Sequence, residues 1–163
     1  MIIFTIVTAV FLLFAFAVFF GAPYLPTLKP QIKEALDLMD LQKGQTMLEL
    51  GSGDGRVMLA AAKRGWKVVG YELNPLLVII SWLITLRYRR QVKVIWGSYW
   101  RKSWPEADGI FVFLLDKYMP RLDEHIWLNC KKPLRVVSFA FKIPGKRIAA
   151  KNHGMFLYKY NQH

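Results

Sequence analysis

The hydrophobic pattern of this 163-residue chain changes abruptly near residue 28. Residues 1–28 carry no charged side chain, and residues 2–20 form an uncharged apolar run. About 20 helical residues span the ~30 Å hydrocarbon core of a bilayer, and a soluble helix of that length rarely stays apolar on every face. No basic residue precedes the run, which argues against a cleaved signal peptide. The pattern therefore predicts a retained transmembrane helix over residues 1–22.

Beyond this run, apolar residues alternate between the spacing of strands and the spacing of helices. Predicted strands cover 46–50, 67–73, 92–96, 109–115 and 134–141, predicted helices cover 30–44, 55–64, 75–90 and 120–130, and a predicted hairpin covers 146–160 and turns at 152–154. Alternating strands and helices are typical of an α/β fold with a mostly parallel, doubly wound sheet. The C-terminal hairpin would add an antiparallel pair to this sheet.

The predicted helix 75–90 is very apolar and ends in a basic cluster. Its apolar part, about a dozen residues, is too short to cross a bilayer. We therefore expect it to pack on the sheet, with insertion into a membrane surface as the alternative. Basic side chains on both sides of the glycine-rich region are expected to face anionic headgroups. They are Lys29, Lys33, Arg87, Arg89 and Arg90.

The net charge, the single cysteine and the three histidines limit where the protein can reside and what it can bind. The formal net charge is +12, which attracts polyanions such as nucleic acid or an anionic lipid surface. The first positive charge, Lys29, follows the apolar run, so the positive-inside rule predicts a single-pass protein whose folded domain lies on the cytoplasmic side. The single cysteine, Cys130, cannot form an intrachain disulfide and fits a reducing compartment. The three histidines show no ligand spacing, so no metal site is expected.

The stretch "MLELGSGDGR", residues 47–56, places three glycines between a predicted strand and a predicted helix. Dinucleotide-binding loops have G-x-G-x-x-G, whereas Gly51, Gly53 and Gly55 are spaced G-x-G-x-G. A pyrophosphate would also be repelled by the carboxylates of Glu49 and Asp54. The same carboxylates would attract the ammonium group of S-adenosylmethionine, which has no phosphate.

A second acid supports this interpretation of the loop. Glu72 ends the second predicted strand, 21 positions after Gly51. A carboxylate at that place can accept hydrogen bonds from both ribose hydroxyls of a bound nucleoside. The loop alone is also compatible with a tight turn that needs glycine, and a lone acid at a strand end is common. Together they predict S-adenosylmethionine as the cofactor.

The stretch "LELGSGDGRVMLAAAKRGWKVVGYELNPLLVIISW" resembles the core of the membrane-anchored lysine methyltransferases of mitochondria and their prokaryotic relatives. Further similar elements are residues 23–27 and residues 135–144. The mitochondrial members of this family methylate lysines on the adenine nucleotide translocase and on the c subunit of ATP synthase. The resemblance implies a Rossmann-like class I S-adenosylmethionine-dependent methyltransferase fold. It divides the chain into an anchor (1–22), a linker and helix that cover the cofactor (23–45), and the methyltransferase domain (46–163).

The resemblance also implies roles for individual residues around the cofactor. The loop would surround the methionine part, Glu72 would hold the ribose with Asn74 near the adenosine, and residues 23–27 would fold over the cofactor. In place of the family's usual Asp near the adenine, this chain has Ser98, whose hydroxyl can bond the adenine while Tyr99 or Trp100 stacks on the ring. The full predicted set is Thr27, Glu49, Gly51, Ser52, Gly53, Asp54, Gly55, Glu72, Leu73, Asn74, Ser98, Tyr99 and Trp100.

Asp116 and Tyr118 are the candidate catalytic residues. In relatives a proline often follows the "LL" that ends the fourth strand, whereas this chain has Asp116 there. That place lies beside the methyl group in this fold. Methyl transfer needs a neutral nucleophile aligned with the methyl carbon, and an acid and a phenol there can orient a lysine amine and relay its proton. Both side chains are equally compatible with ordinary loop residues.

Several functions remain open from the sequence. The leading hypothesis is methylation of a lysine of a membrane protein, with the membrane lipid surface as a second partner. A lipid or small-molecule acceptor is the first alternative, and a non-catalytic membrane-bound scaffold with a methyltransferase-like fold is the second. A nucleic-acid acceptor is disfavoured because the "[ND]PP[YF]" motif of base methylation is absent after the fourth strand.

Overall fold

The structure is a computed structural model that describes residues 1–8, 11 and 25–161. From residue 29 onward the strands are β1 (Thr46–Leu50), β2 (Lys67–Glu72), β3 (Val92–Trp96), β4 (Gly109–Val112), β5 (Leu134–Phe139), β6 (Ala150–Asn152) and β7 (Met155–Tyr160). The helices of the same region are α1 (Lys29–Met39), α2 (Arg56–Lys63), α3 (Pro75–Thr85) and α4 (Met119–Asn129), with 3₁₀ turns at Leu86–Tyr88 and Asp116–Tyr118.

The strands form a mostly parallel sheet with the order β3-β2-β1-β4-β5-β7-β6. β1 to β5 run parallel to one another, whereas β7 pairs antiparallel with both β5 and β6. The hairpin turns at His153 and Gly154, both with positive φ. This arrangement confirms the predicted doubly wound sheet with a C-terminal antiparallel hairpin. The order reverses between β1 and β4, where a crevice opens at the carboxyl ends of the strands.

The core consists of two clusters of buried side chains that include alternate residues of the same strands. In β1, Met47 belongs to the cluster shared with α1 and α2, and Leu48 belongs to the cluster shared with α4. In β4, Phe111 belongs to the first of these clusters and Ile110 to the second. Every residue of β4 is buried, as expected for a central parallel strand covered on both faces.

Two strands are shorter than predicted. β4 ends at Val112 and β5 ends at Phe139, although the apolar sequence continues for two or three residues beyond each. Residues 113–115 and 140–141 line a cavity instead. A buried strand and a cavity wall both favour apolar side chains, so the pattern alone does not show where the strand stops.

α1 is also shorter than the predicted helix 30–44. It ends at Met39 because Asp40 adopts a left-handed conformation with φ 48°. Its buried residues are Ile32, Ala35, Leu36 and Met39, and the helix lies against β5, β6 and β7. Of the predicted cover, residues 25–27 reach the cavity, whereas α1 packs on the sheet.

The expectation that residues 75–90 pack on the sheet is confirmed, because α3 contacts β2 and β3, but the side chains that α3 buries are not its apolar ones. The buried residues of α3 are Ser81 and Thr85, and neither core cluster includes a residue of this helix. The apolar side chains of α3 and of the turn after it lie in solvent instead; the exposed ones are Ile79, Ile80, Trp82, Leu83, Ile84 and Leu86. Ser81 lies against Gly55, where a larger residue would not fit. The close approach of the glycine loop to Ser81 therefore depends on the absence of a side chain at Gly55.

The predicted transmembrane helix lies mostly outside the described residues. Residues 2–8 are helical. Residues 9–10 and 12–24 are not among the described ones. Within residues 1–8, 11 and 25–161, no helix has the length and the apolar character needed to cross a bilayer.

Candidate functional site

A cavity of about 430 Å³ opens at the carboxyl ends of β1, β2 and β4, where the strand order reverses. This is the place at which open α/β sheets bind ligands, and the volume suits a molecule of nucleoside size. Twelve of the thirteen predicted cofactor residues line the cavity: Thr27, Glu49, Gly51, Ser52, Gly53, Asp54, Glu72, Leu73, Asn74, Ser98, Tyr99 and Trp100. The candidate catalytic residue Tyr118 lines it as well. Gly55 and Asp116 do not belong to the lining.

The amide groups of the glycine loop are already used within the protein. The N–H groups of Gly51 and Ser52 both donate to the carbonyl of Tyr71, at 3.0 and 2.8 Å. The N–H of Gly53 donates to Glu72 Oε2 at 2.8 Å, and the N–H of Gly55 donates to the carbonyl of Ser52 at 2.9 Å. A pyrophosphate needs free amides that point at it. The loop therefore disfavours a dinucleotide through its hydrogen bonds as well as through its glycine spacing.

Gly55 has a structural role that sequence reasoning did not separate from ligand binding. Its φ is +81°, and a Cβ built there would overlap the side chain of Ser81 on α3. Gly51 also has a positive φ, +91°, but a Cβ there would meet nothing within 4 Å. Gly55 thus allows α3 to approach the loop closely, whereas Gly51 leaves open space on the cavity side.

Glu72 connects the loop to the start of α3. Its Oε2 accepts the Gly53 N–H and its Oε1 accepts the Asn74 N–H, both at 2.8 Å. Burial raises the pKa of this carboxyl, and the backbone hydrogen bonds from Asn74, Gly53 and Leu73 oppose that shift. Each carboxylate oxygen can accept a further hydrogen bond. Glu72 can therefore hold two ribose hydroxyls while it fixes the loop.

Glu49 is a buried acid without a complete set of partners. Its side chain is only 4% exposed, and Oε2 has no hydrogen-bond partner within the described part of the chain. Burial raises the pKa of this carboxyl well above its ordinary value, and the nearby charges of Asp54 and Glu72 raise it further. A buried, unpaired carboxyl costs free energy unless a cation binds beside it. Glu49 is therefore suited to the ammonium group of an amino-acid ligand.

The charge of Asp54 is compensated within the protein, which the sequence pattern did not indicate. Arg56 Nη2 lies 2.6 Å from Asp54 Oδ2, and Arg56 Nε lies 3.0 and 2.9 Å from the two carboxylate oxygens. Because Arg56 pairs with this carboxylate, Asp54 would repel a pyrophosphate less than an unpaired acid would. The exclusion rests mainly on the occupied amides and on the glycine spacing.

The other half of the cavity is aromatic. The rings of Tyr99 and Trp100 lie 4.7 Å apart between centroids, and Tyr118 lies 6.5 Å from Trp100. Phe113 and Phe141 complete this wall. Burial raises the pKa of the Tyr99 phenol above its ordinary value, so the ring stays uncharged. A wall of this kind can stack on an adenine and can border an alkyl amine.

Phe141 reaches the cavity through a strained turn after β5. Ala140 has φ 68°, and the Phe141 N–H donates to the carbonyl of Phe139 at 2.9 Å, as in a γ-turn. Ser138 Oγ donates to the carbonyl of Phe141 at 2.7 Å. Sequence reasoning missed Phe113, Ala140 and Phe141 as cavity residues. The only signal was that each apolar run is longer than its strand.

The two candidate catalytic residues occupy different environments. Asp116 begins the 3₁₀ turn Asp116–Tyr118 and is exposed outside the cavity lining, whereas Tyr118 is half-buried and lines it. The acids that line the cavity are Glu49, Asp54 and Glu72. Within the described ranges, no group of three or more His, Cys, Asp or Glu side chains could hold a metal ion.

The polar groups that line the cavity fit S-adenosylmethionine. The unpaired Glu49 Oε2 suits its ammonium, and the free acceptor capacity of Glu72 suits its ribose hydroxyls. Ser52 Oγ, another buried polar atom without a partner in the described residues, can bond the amino-acid part. Ser98, Tyr99 and Trp100 border the remaining space, as expected for an adenine.

Comparisons with known proteins agree with this assignment. The chain is 32% identical over 126 residues to the Xenopus laevis lysine N-methyltransferase of the ATP synthase c subunit, covering 75% of this chain and 54% of that protein. It is 33% identical over 125 residues to the adenine nucleotide translocase lysine N-methyltransferase of Mus musculus, with 75% and 54% covered. The chain thus spans about half the length of the curated relatives that it matches.

Among solved structures, an RNA methyltransferase from Salinibacter ruber in complex with S-adenosylhomocysteine is similar, with a TM-score of 0.76 and 26% identity over 83% of this chain and 92% of that one. The predicted Rossmann-like class I fold of this chain is confirmed. The cofactor of this chain is S-adenosylmethionine, as predicted. The ANTKMT methyltransferase domain family matches residues 49–150, from Glu49 of β1 to the first residue of β6. Since this match covers more than half of the sequence, the chain belongs to the ANTKMT methyltransferase domain family.

Proposed function

We propose that this chain is a membrane-anchored, S-adenosylmethionine-dependent methyltransferase that acts on a lysine of a membrane protein. The observation that carries the proposal is the buried Glu49 carboxyl, whose Oε2 has no hydrogen-bond partner among the described residues, beside a glycine loop that is bonded to Glu72. The relatives named above are lysine N-methyltransferases, which favours a lysine amine as the acceptor.

The chemistry divides between the two halves of the cavity. When bound, S-adenosylmethionine supplies an electrophilic methyl group on a positively charged sulfur. Glu49 holds the ammonium of the amino-acid part, and Glu72 holds the ribose. These contacts fix the position of the methyl carbon relative to the aromatic wall, which supplies most of what a displacement reaction needs from an enzyme.

The aromatic wall guides the acceptor amine. A lysine amine would first lose a proton to water, and its neutral nitrogen could then accept the methyl group that bound S-adenosylmethionine would supply, with S-adenosylhomocysteine left as the product. Tyr118 is the one candidate catalytic residue on the wall, and its hydroxyl can accept a hydrogen bond from the amine and orient the nitrogen lone pair. The Phe113 and Phe141 rings border the alkyl part of a lysine and keep water away from the reacting atoms.

The membrane part of the proposal rests on the uncharged residues 1–22, which would form the anchor. Lys29 is the first positive charge after them, and this order favours a domain on the cytoplasmic side. Leu25 and Pro26, which follow directly after the undescribed segment, line the cavity. An anchor that ends there would hold the cavity close to the membrane, where a membrane-protein lysine is within reach.

An RNA acceptor is the second candidate. It is favoured by the net charge of +12 and by the resemblance to the Salinibacter ruber RNA methyltransferase. The two candidates predict different products from the same cofactor.

The acceptor can be identified by incubating the full chain with membranes, total RNA and S-adenosylmethionine carrying a labelled methyl group. We expect label in membrane protein, as methyl-lysine by mass spectrometry, and none with the Glu72→Ala variant as the matched control. Label in RNA supports the second candidate, label in lipid supports a lipid acceptor, and no label in any fraction contradicts an enzymatic role.

The anchor is tested separately by extraction of membranes with alkaline carbonate. The full chain should stay in the pellet, and a truncated chain that begins at Pro23 should be soluble or released by salt. Recovery of the full chain in the soluble fraction would contradict the anchor. Protease protection in sealed membrane vesicles of known orientation then tests the predicted cytoplasmic side.

A further inference from the structure

α3 has the reverse of the polarity expected for a helix that packs on a sheet. Its buried residues, Ser81 and Thr85, are polar, and its exposed ones are large and apolar. The exposed fractions are 55% for Ile79, 54% for Trp82 and 54% for Leu83. A contiguous apolar surface of this kind usually marks an interaction site.

The sequence segment that contains this helix is basic and has no acid. Residues 73–105 hold Arg87, Arg89, Arg90, Lys93, Arg101 and Lys102, and no Asp or Glu. Three of these, Arg87, Arg89 and Arg90, follow α3 within five residues and are exposed. The exposed Trp96 lies on the adjacent strand β3 and is 64% accessible. We call the exposed apolar residues of 79–86, Trp96 and the three arginines the α3 face.

We propose that the α3 face lies in the interfacial region of an anionic lipid bilayer. Helices with apolar side chains on the exposed side, flanking arginines and tryptophan are suited to this environment. The apolar residues would enter the acyl boundary, and the arginines would meet the lipid phosphates. This inference rests on the proposed membrane location and names the surface of the domain that faces the membrane.

α3 and the residues that follow the undescribed segment both reach the cavity. Leu77 of α3 and Leu25, the first described residue after the undescribed segment, are both part of the cavity lining. Leu25 and Leu28 are each 58% exposed. An anchor before Leu25 and an inserted α3 would therefore contact the membrane from the same side of the domain and hold the cavity near it.

A second copy of this chain fits the face less well. In a two-fold contact, the same surface meets itself, so the arginines after α3 would face like charges without an acid in the segment to compensate them. An anionic membrane offers both an apolar interior and the opposite charge. The charge of the segment therefore favours lipid over self-association.

The test places an environment-sensitive fluorophore on the full chain. In a Cys130→Ser background, a nitrobenzoxadiazole label is attached at Leu83→Cys or, as the matched control, at Lys131→Cys. Lys131 is exposed and precedes β5, at the opposite end of the parallel strands from the cavity. Both proteins are reconstituted into vesicles of phosphatidylcholine with or without phosphatidylserine, and quencher lipids with nitroxide groups on the acyl chains report the depth of the label.

We expect the label at Leu83 to be quenched several-fold more strongly than the label at Lys131, with a blue-shifted emission. Replacement of the three arginines by glutamine should reduce this quenching in anionic vesicles and leave it little changed in phosphatidylcholine. Titration with S-adenosylhomocysteine should give the same affinity for all variants, which shows that they are folded. Because the depth measurement needs no methyl transfer, deep quenching without activity would contradict the proposed function alone.

Three results would overturn the inference. Equal quenching at Leu83 and Lys131 would place the face in water. A blue shift that appears without lipid and grows with protein concentration would indicate a second copy. A shift that appears only when an acceptor membrane protein is added would indicate a docking site for that protein. In each case, retained methylation activity would leave the proposed function standing.

Discussion

The two halves of the cavity are held in place in different ways. On the cofactor side, most of the residues lie in two short stretches, 49–55 and 72–74, and backbone hydrogen bonds from Gly51, Ser52 and Gly53 fix the loop to Tyr71 and Glu72. On the acceptor side, rings from the ends of β4 and β5 and from the connections around them meet through side-chain packing. The cofactor side therefore carries a motif that can be recognised, and the acceptor side can change without disturbing it. This difference explains why the cofactor follows from the sequence and the acceptor does not.

Substitutions on the cofactor side should change the affinity for the cofactor, whereas substitutions on the acceptor side should change kcat. The largest effect is expected at Glu72. Glu72→Ala removes two charge-assisted bonds to the ribose and leaves the Gly53 and Asn74 N–H groups without their acceptor. We expect the affinity for S-adenosylhomocysteine, measured by calorimetry, to fall roughly thirtyfold to thousandfold. Glu124→Ala, at an exposed acid on α4, is the control. A loss below threefold in a folded Glu72→Ala protein would show that Glu72 does not hold the ribose.

A substitution at Tyr118 should lower kcat and leave the cofactor affinity unchanged. Tyr118→Phe removes the hydroxyl but keeps the ring on the wall, so kcat should fall about tenfold to a hundredfold while S-adenosylhomocysteine affinity stays the same. The matched variant is Asp116→Asn, which lies outside the cavity lining and should stay within about twofold in kcat. A larger effect for Asp116→Asn than for Tyr118→Phe would reverse this assignment and return Asp116 to the role of proton acceptor.

The raised pKa of Glu49 makes cofactor binding depend on pH. In the free protein the carboxyl keeps its proton below the raised pKa, and the ligand's ammonium must expel that proton to form an ion pair. The affinity should therefore increase with pH through this pKa, by at most about tenfold per pH unit, and level off above it. Calorimetry in buffers of different ionisation enthalpy should detect the released proton. Glu49→Gln should bind weakly at every pH, and a pH dependence that survives this change would assign the proton to another group.

The same shift has a consequence for the stability of the unliganded protein. A carboxyl with a raised pKa in the folded state binds its proton more tightly there than in the unfolded state. The free energy of unfolding should therefore decrease as the pH rises from the ordinary carboxyl range through the raised pKa. Chemical denaturation at several pH values, compared with Glu49→Gln, measures this contribution. Stability that rises over the same range only in the wild-type protein would contradict the assigned direction.

The smallest effect is expected at Ala140. Its φ of 68° costs about 1 kcal/mol in a residue with a side chain, and glycine relieves the strain but adds freedom to the unfolded chain. The free energy of unfolding of Ala140→Gly should therefore change by less than about 1 kcal/mol. Since a looser turn positions Phe141 less well, kcat should fall by less than about tenfold and S-adenosylhomocysteine affinity should not change. A large loss of affinity would show that the two halves are coupled.

Local patterns predicted most of the fold. The mostly parallel sheet and its C-terminal hairpin follow from the alternating elements, and the loop and Glu72 follow from short motifs whose functional residues are close together in sequence. The pattern did not show that Asp54 is paired with Arg56, because that pairing depends on side-chain geometry. It also did not show where β4 and β5 end, since Phe113 and Phe141 are as apolar in a cavity wall as they would be in a strand.

α3 shows the limit of hydrophobic patterning most clearly. α2 buries Val57, Met58 and two alanines, as its sequence predicts, whereas α3 buries Ser81 and exposes leucine, isoleucine and tryptophan. A helix of almost uniformly apolar residues gives no periodic signal for its buried face. The contact that orients this helix is long-range: Ser81 lies so close to Gly55 that a Cβ at position 55 would overlap it.

The most direct test of the central claim is the thermal stability of the full chain with candidate ligands. The N–H groups of the glycine loop donate within the protein, and Glu49 Oε2 has no hydrogen-bond partner among the described residues. S-adenosylmethionine and S-adenosylhomocysteine should therefore raise the melting temperature. At a hundredfold excess over Kd, a ligand that binds only the folded state adds about 2.7 kcal/mol to the free energy of unfolding. NAD and NADP should leave the melting temperature unchanged. Stabilisation by NAD but not by S-adenosylhomocysteine would contradict the assignment of this cavity.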